Sequence, residues 1–435
     1  MITRRHFLEV SSLAAAGVAT GCQAPADAPA GAAPGTAIED LPPSIAALTS
    51  KAREPTPISV TERQGRIEKA RRLMMDHGID GLMLTGGTSL VYFTDIQWGL
   101  SERLFSIIVP VSGQPFLVCP AFEEDRAREQ LHGGPLEDTE VLTWHEHESP
   151  YALVAGGLRA RGLASGRLGI EETVRFVFSD GVAREAPALT LTSGTPVTAG
   201  CRGVKDEHEL ALMQLANEVT LTAYKAAYEA LQPGMTQGDF RNLVSLGHSQ
   251  QGFSGGAGVQ VGQYSALPHG SVTPQVIEEG SVLLIDGGCS VEGYRSDISR
   301  TFLLGEPTDK MREVFDIEYR AQSAALAAAA PGVEAQAVDA AARRVIEEAG
   351  YGPEYTYFTH RVGHGIGMDG HEWPYLVRGN AMPLEPGMTF SDEPGIYIPG
   401  QFGVRLEDDM YITEDGAALF TPQSPSLDDP FGNWP

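Results

Sequence analysis

Apolar positions recur at helical spacing from Thr61 to His77, stop at Gly78, and give way to a strand-like block from Gly81 to Thr85. That succession predicts an amphipathic helix closed by a glycine cap and leading into a buried strand. Apolar strands at Leu104 to Val111 and Pro115 to Cys119 then alternate with helical stretches as far as about Ala199, the rhythm of an α/β domain. From Cys201 the rhythm changes. A helical stretch from about Asp206 to Leu231 stops at Pro233-Gly234, and another from about Lys310 to Ala330 stops at Pro331-Gly332. Each stop leads into a further helical stretch and then into a strand hairpin, so the chain from residue 201 to 435 reads as two halves enclosing a site between them.

The two hairpins carry acids where strands should be buried. Val282-Leu283-Leu284-Ile285 ends in Asp286, turn formers follow at Gly287, Gly288 and Gly293, and Tyr294 to Phe302 reads as the returning strand. A fold at Val291-Glu292 places Asp286 opposite Asp297. Thr389 to Pro399 likewise returns through Gly400 into Val404 to Ile412, and a fold centred on Gly400 places Glu393 opposite Glu407. Two pairs of like charges on buried strands repel each other and are costly to desolvate, so a cation is the natural compensation. Any one of these acids taken alone reads as an exposed strand or turn carboxylate; the joint pattern does not.

Between the hairpins lies His360-Arg361-Val362-Gly363-His364-Gly365-Ile366-Gly367, followed by His371-Glu372-Trp373-Pro374. Glycines beside His364 would let backbone come close to an ion, and the other histidines can serve as acid, base or hydrogen-bond donor. Asp286, Asp297, His364, Glu393 and Glu407 together form a hard, mostly oxygen donor set. Such a set favours a pair of divalent ions, manganese first and zinc or cobalt next, over a thiolate-bound structural zinc.

The Asp286-to-Asp297 segment ending in Ser299-Arg300-Thr301, the Gly363-to-Gly367 block with His371-Glu372, Glu393-Pro394-Gly395-Ile396-Tyr397, and Gly403-Val404-Arg405-Leu406-Glu407-Asp408 resemble the pita-bread metallopeptidases. Within them the chain is similar to the Xaa-Pro peptidases, aminopeptidase P and prolidase. The resemblance implies an α/β (α+β) fold: a creatinase-like N-terminal domain at 58–200 and a pita-bread catalytic domain with pseudo-twofold halves at 201–435. It implies Asp286, Asp297, His364, Glu393 and Glu407 as ligands of two ions, with Asp297 and Glu407 bridging, and His269, His360, His371 and Arg405 as the catalytic shell. Glu393 would also take a proton from the attacking water, and His269 or His371 would stabilise the developing charge. Short proline-containing peptides are the implied substrates, and a homodimer or homotetramer the implied assembly. Asp392 departs from many relatives, which carry an uncharged residue there. Strand alternation points it to the opposite face from Glu393, away from the ions. The motifs leave aminopeptidase and dipeptidase preference open.

Three other function classes compete. They are a creatinase-type or other amide hydrolase, a catalytically silent peptide-binding surface protein, and a serine hydrolase built on Gly252-Phe253-Ser254-Gly255-Gly256. The serine elbow needs a strand before the nucleophile and a helix after it, whereas here a helical pattern precedes Ser254 and a strand-like one follows. Trp98 reads equally as core or as a wall of a substrate site. A net charge of -26 argues against nucleic acid and anionic membrane surfaces as partners. Cys22, Cys119, Cys201 and Cys289 show no paired spacing, so neither a disulfide framework nor a thiolate metal site is indicated. At the chain start Thr3-Arg4-Arg5-His6-Phe7-Leu8 resembles a twin-arginine export motif, and the apolar stretch from Val10 to Thr20 is too short for a stable span. Residues 1–22 therefore read as an export signal. Cys22 is either a lipid-modified residue, giving a membrane-anchored lipoprotein, or incidental to ordinary cleavage and release into the periplasm. Residues 23–57, rich in Ala and Pro, read as a disordered tether.

Overall fold

The computed structural model of the chain describes residues 41–435, so the twin-arginine segment, Cys22 and the first part of the tether lie outside the described residues. Six strands form one mixed sheet in the first unit: β1 (Gly81–Thr85), β2 (Ser106–Pro110), β3 (Phe116–Pro120), β4 (Glu140–Trp144), β5 (Gly166–Ile170) and β6 (Leu189–Ser193), in the order β4-β3-β2-β1-β5-β6. Alternation along β1 sends Leu82 and Leu84 into one core with Ile67, Ala70 and Met74 of helix Val60–His77. Met83 goes into the other, with Val154, Leu158, Phe178 and Val182 of two further helices. The sheet is thus covered on both faces. Helix Val60–His77 is fixed at both ends, by a capping box between Ser59 and Glu62 and by Gly78 in the left-handed region at φ 61°.

Two boundaries differ from the sequence expectation. The expected division between residues 200 and 201 falls inside the helix Thr195–Arg202, and Cys201 is buried in the first unit's core with Ile67 and Val197. The chain leaves that core only after Arg202 and starts its next helix at Asp206, whose side chain caps it. The tether is also shorter than 23–57. Pro43–Ala46 is a short helix, Ile45 is fully buried against Leu221, Tyr224 and Phe240, and Ser44 Oγ donates to the Ala226 carbonyl at 2.7 Å. The Ala/Pro composition concealed the apolar anchor Ile45, flanked by the partly buried Leu41 and Leu48, that helps dock this stretch.

In the second unit two helices, Glu207–Glu229 and Gln237–Gln250, precede β7 (Gly255–Val261), β8 (Val282–Val291), β9 (Tyr294–Arg295) and β10 (Ile298–Leu303). Two more, Asp309–Ala328 and Ala335–Glu348, precede β11 (Gly363–Gly365), β12 (Glu372–Leu376), β13 (Thr389–Asp392), β14 (Gly395–Ile398), β15 (Phe402–Arg405), β16 (Asp408–Ile412) and β17 (Ala417–Leu419). The first half pairs as β10-β8-β7 with β9 on β8; the second forms the sheet β12-β11-β13-β16-β17 and the hairpin β14-β15. The expected duplication, two helices and then a hairpin, is the arrangement found. Ser299 and Glu407 join the halves through paired backbone hydrogen bonds of 3.3 and 3.2 Å.

The second hairpin keeps the expected register: Asp392 faces Asp408 and Gly395 faces Arg405, so the intervening Glu393 and Glu407 are in step. The first does not. It turns through Glu292 and Gly293, at φ 49° and 88°, one residue later than expected, and Asp286 consequently faces Ser299 instead of Asp297. A slip of two partners preserves parity, so both acids still project to one side.

Candidate metal centre

β8 and the β9-β10 connection present Asp286 and Asp297 from the first half. β11 presents His364, and the segments after β13 and β15 present Glu393 and Glu407 from the second. Their donor atoms converge. Asp286, Asp297 and Glu407 form one trio, His364, Glu393 and Glu407 a second, and Asp297, His364 and His371 a third, the donors of each trio all within 4.8 Å of one another. Asp297 and Glu407 each belong to two trios.

The electrostatics show a site short of positive charge. Burial, then the neighbouring Asp286, pushes the Asp297 carboxyl well above the usual carboxylate range, and burial with Asp297 does the same to Glu407. Burial opposes ionisation of Glu393 too, yet its contact with His364 Nε2 at 3.1 Å holds its carboxyl below the ordinary value. Arg405 reaches Asp286 at 2.6 Å and also bonds Ser299 Oγ, the Pro268 carbonyl and Tyr397 OH. One guanidinium and one imidazole cannot neutralise four crowded acids, which is the condition that divalent cations relieve. The imidazole is oriented for it: His364 Nδ1 donates to the Gly365 carbonyl at 3.1 Å, leaving the Nε2 lone pair facing the acids. The donor set therefore fits metal.

The glycines around His364 have a reason other than the expected one. A Cβ on Gly363 would sit 2.0 Å from the Ser391 carbonyl oxygen, and one on Gly365 would sit 2.6 Å from that of Glu372. They permit neighbouring strands to close on β11.

Of the expected shell, His360 is half-buried; its Nδ1 donates to the Arg361 carbonyl and its Nε2 accepts from Tyr397 OH at 2.7 Å. Burial lowers its basicity. His371 is exposed and stacks on His364 with ring centroids 3.7 Å apart. Arg361 lies 3.2 Å from its Nδ1, so that nitrogen accepts and Nε2 carries the proton; burial and His364 pull its pKa down to about 4. His269 stays exposed at the rim, next to the Pro268 carbonyl that holds Arg405. Asp392 points away from the trios, as its strand position predicts. It is fully buried near Glu318 and Asp408, and neither of its oxygens has a protein hydrogen-bond partner.

Sequence reasoning missed several residues that assemble the site. Ser299 Oγ donates to Glu407 at 2.6 Å and lies 3.2 Å from Asp286, and Asp409 accepts from the Asp297 backbone at 2.9 Å. Tyr397 links His360 to Arg405. Ser299 and Tyr397 sit two and four residues from Asp297 and Glu393, a spacing that strand alternation allows to be read as the same face. The loop carrying His371 is clamped from the first unit, Arg202 bonding both Asp369 and Glu372, Lys205 bonding Glu372, and Thr88 bonding Asp369. Ser254 lies between a helix and β7, the reverse of the elbow order, and hydrogen-bonds no base among the described residues. Trp98, half-buried, stacks on Phe105 at 3.9 Å beneath Arg126 and packs against the core of the first unit.

Two half-barrels closing on a ring of acids and one oriented imidazole define a pita-bread metallohydrolase. Residues 211–414 match the profile of Metallopeptidase family M24 and residues 66–204 that of the Creatinase/Prolidase N-terminal domain. The chain belongs to Metallopeptidase family M24. It is 34% identical over 369 residues to the Xaa-Pro dipeptidase of Lactobacillus delbrueckii subsp. lactis, covering 83% of this chain and 98% of that protein. Among solved structures, dipeptidase PepE from Mycobacterium ulcerans aligns with a TM-score of 0.80 at 31% identity, over 86% of this chain and 99% of the other. A recombinant prolidase from Thermococcus sibiricus aligns with a TM-score of 0.76 at 30% identity, over 84% and 98%.

Proposed function

We propose that this protein is a metal-dependent exopeptidase that hydrolyses Xaa-Pro peptide bonds. The observation carrying this reading is the convergence of Asp286, Asp297, His364, Glu393 and Glu407 into overlapping trios, in a chain that matches an Xaa-Pro dipeptidase over 98% of that protein's length. The two trios that share Glu407 correspond to two divalent ions. Asp297 and Glu407 would lie between them, Asp286 completing one shell and His364 with Glu393 the other. The hard oxygen set favours manganese, with zinc or cobalt as substitutes.

Bound divalent ions supply a polarising charge and an acidified water nucleophile at neutral pH. The side chains do the rest. Glu393, kept ionised beside His364, accepts the proton of the attacking water. His371, with Nδ1 occupied by Arg361, offers its Nε2–H as a hydrogen bond to the developing oxyanion, and the proton that Glu393 takes from the water is the one the departing proline nitrogen receives. The Xaa-Pro amide has no N–H, so a site that acts on the carbonyl and accepts the ring succeeds where recognition of an amide proton fails. The export motif and Cys22 support a location outside the cytoplasm, in the periplasm or lipid-anchored at a membrane, with residues 23–40 as the leash. We expect a homodimer or homotetramer. Hydrolysis of Gly-Pro, Ala-Pro and Xaa-Pro-Xaa tripeptides by manganese-loaded protein, read as released amino acid, tests the activity. Failure on all of them defeats it.

A further inference from the structure

Asp297, an acid shared between two of the donor trios, stands on a break in its strand. β8 pairs with β9 where Ser290 faces Arg295 and Val291 faces Tyr294, and with β10 where Gly287 faces Ile298 and Asp286 faces Ser299. Ser296 and Asp297 lie between those two stretches. Ser296 N still donates to the Cys289 carbonyl at 3.2 Å, whereas the Asp297 N–H turns away from β8 to Asp409. The backbones come so close here that a Cβ on Gly288 would sit 1.9 Å from the Ser296 carbonyl oxygen. Where the Asp297 carboxylate points depends on what holds this break.

A buried chain of hydroxyls ending on a histidine holds it. His248 Nδ1 lies 2.9 Å from the Val244 carbonyl, which can only accept, so Nδ1 carries a proton. Full burial pulls the pKa of the ring down to about 4 and keeps it neutral, which leaves Nε2 a bare acceptor. Thr220 Oγ1, 3.2 Å from Nε2, therefore donates to it. With its one proton spent there, Thr220 Oγ1 accepts from Ser296 Oγ at 2.9 Å, and Ser296 Oγ accepts from Cys289 N–H at 3.1 Å. Every link runs one way, from Cys289 through Ser296 and Thr220 to His248 and out at Val244. The other acceptor open to Ser296, Cys289 Sγ, is a weak one at 4.0 Å. The imidazole is also hemmed in: Tyr224 meets it edge-on, and a Cβ on Gly255 would sit 2.4 Å from its Cδ2.

We propose that Thr220 and His248 are positioning residues for Asp297: they fix the Ser296 hydroxyl, and through it the break in the ladder that turns the neighbouring carboxylate into its two trios. The inference rests on the metal-dependent reading above and deepens it, since it gives one ligand a support outside the donor set. Thr220 and His248 come from the two helices Glu207–Glu229 and Gln237–Gln250, so the first half holds the break from its helical side. Asp409 holds the same backbone from the second half, by accepting from Asp297 N at 2.9 Å. Partners that orient a metal ligand from outside its donor atoms are worth about 10- to 100-fold in metal affinity when removed.

The test is manganese titration of the chelator-treated full chain, read by calorimetry, in wild type, Thr220→Val and Thr220→Ser. Valine keeps the shape of threonine and loses the hydroxyl, whereas serine keeps the hydroxyl and loses a methyl group. Thr220→Val should bind manganese about 10-fold more weakly, and Thr220→Ser should stay within about twofold of the wild type. If Thr220 served packing alone, serine would be the more damaging change, and that order overturns the proposal. Wild-type affinity in Thr220→Val overturns it too, because Asp409 would then suffice to hold the break. If Thr220→Val fails to fold, Ser296→Ala decides: binding weakened about 10-fold supports the chain of hydroxyls, and unchanged affinity overturns it. Wild type that binds no manganese defeats the metal reading beneath the inference, and the inference with it.

Discussion

Asp297 and Glu407 are each drawn into two donor trios, and each is pushed towards protonation by burial and then by a neighbouring acid, Asp286 for Asp297 and Asp297 for Glu407. Removing one acid from such a site removes the reason for a cation to stay. Asp297→Asn or Glu407→Gln should therefore abolish peptide hydrolysis and lower bound metal, while circular dichroism stays that of the wild type. Full activity with undiminished metal in either variant contradicts the assignment. His371 is the informative contrast, because its donor also falls within reach of Asp297 and His364. With His371→Ala we expect lower turnover with metal retained, since Nε2 is placed as a hydrogen-bond donor; loss of metal there would make it a ligand. Ser254 has neither the elbow geometry nor, among the described residues, a base, so Ser254→Ala should keep activity within about twofold, and a fluorophosphonate should leave the residue unlabelled. The four acids and the imidazole that converge in the trios were legible at this scale because acids on apolar strands and a histidine among glycines are conspicuous. Ser299 and Tyr397 were not, because a serine and a tyrosine on a strand are ordinary until the register shows which acids they face.

Among the elements, turns decided what could be read. Gly400 sits at the centre of its hairpin and the β14-β15 register followed from it. The β8-β9 turn has Glu292 and Gly293 in the left-handed region, and the sequence did not say that a glutamate would take that conformation. The error moved Asp286 by two partners but left its face unchanged, which is why the site survived it. Gly363→Ala tests how tightly β11 is closed in: the new Cβ meets a backbone oxygen, so overpacking should cost roughly 1–3 kcal/mol, read as a fall in the thermal midpoint of the metal-free protein. Helix Val60–His77 offers a pH test. Burial tends to raise the Glu62 carboxyl, but hydrogen bonds from Ser59 and His208 bring it down to about 2 from 4.5. A carboxyl depressed in the folded state stabilises above its ordinary value and loses that contribution as pH falls towards the folded one. Between pH 4.5 and 2 the wild type should lose stability more steeply than Glu62→Gln in urea titrations, by a modest margin because the group is partly exposed. Parallel curves would show that the capping box carries no net electrostatic stabilisation.

For the molecule as a whole, the two units are joined by buried charge. Arg66 of the first unit bonds Glu209 at 3.1 Å and Tyr294 at 2.7 Å of the second, as Arg202 does with Glu372. Arg66→Met strands Glu209 without its partner in a buried place, which typically costs about 3–5 kcal/mol. A thermal midpoint within a degree of the wild type would contradict that coupling. Overall architecture was legible from alternating strand and helix patterns. The exact unit boundary was not, because Gly200, which reads as a stop, lies inside the helix Thr195–Arg202, and neither was the docking of residues 41–57, whose few apolar anchors, Leu41, Ile45 and Leu48, are scattered in an Ala/Pro-rich stretch. Outside the described residues, the proposed lipid anchor predicts that Cys22→Ser releases a soluble form, and the proposed export signal predicts that Arg4→Lys with Arg5→Lys holds precursor in the cytoplasm. A cytoplasmic wild type with Met1 intact defeats both. The most direct test of the central claim is metal titration of chelator-treated protein, followed by proline release from Ala-Pro. Hydrolysis should be absent without metal and return with manganese, reaching its plateau near two ions per chain. Full hydrolysis in protein stripped of metal, or none at any manganese occupancy, would contradict the account.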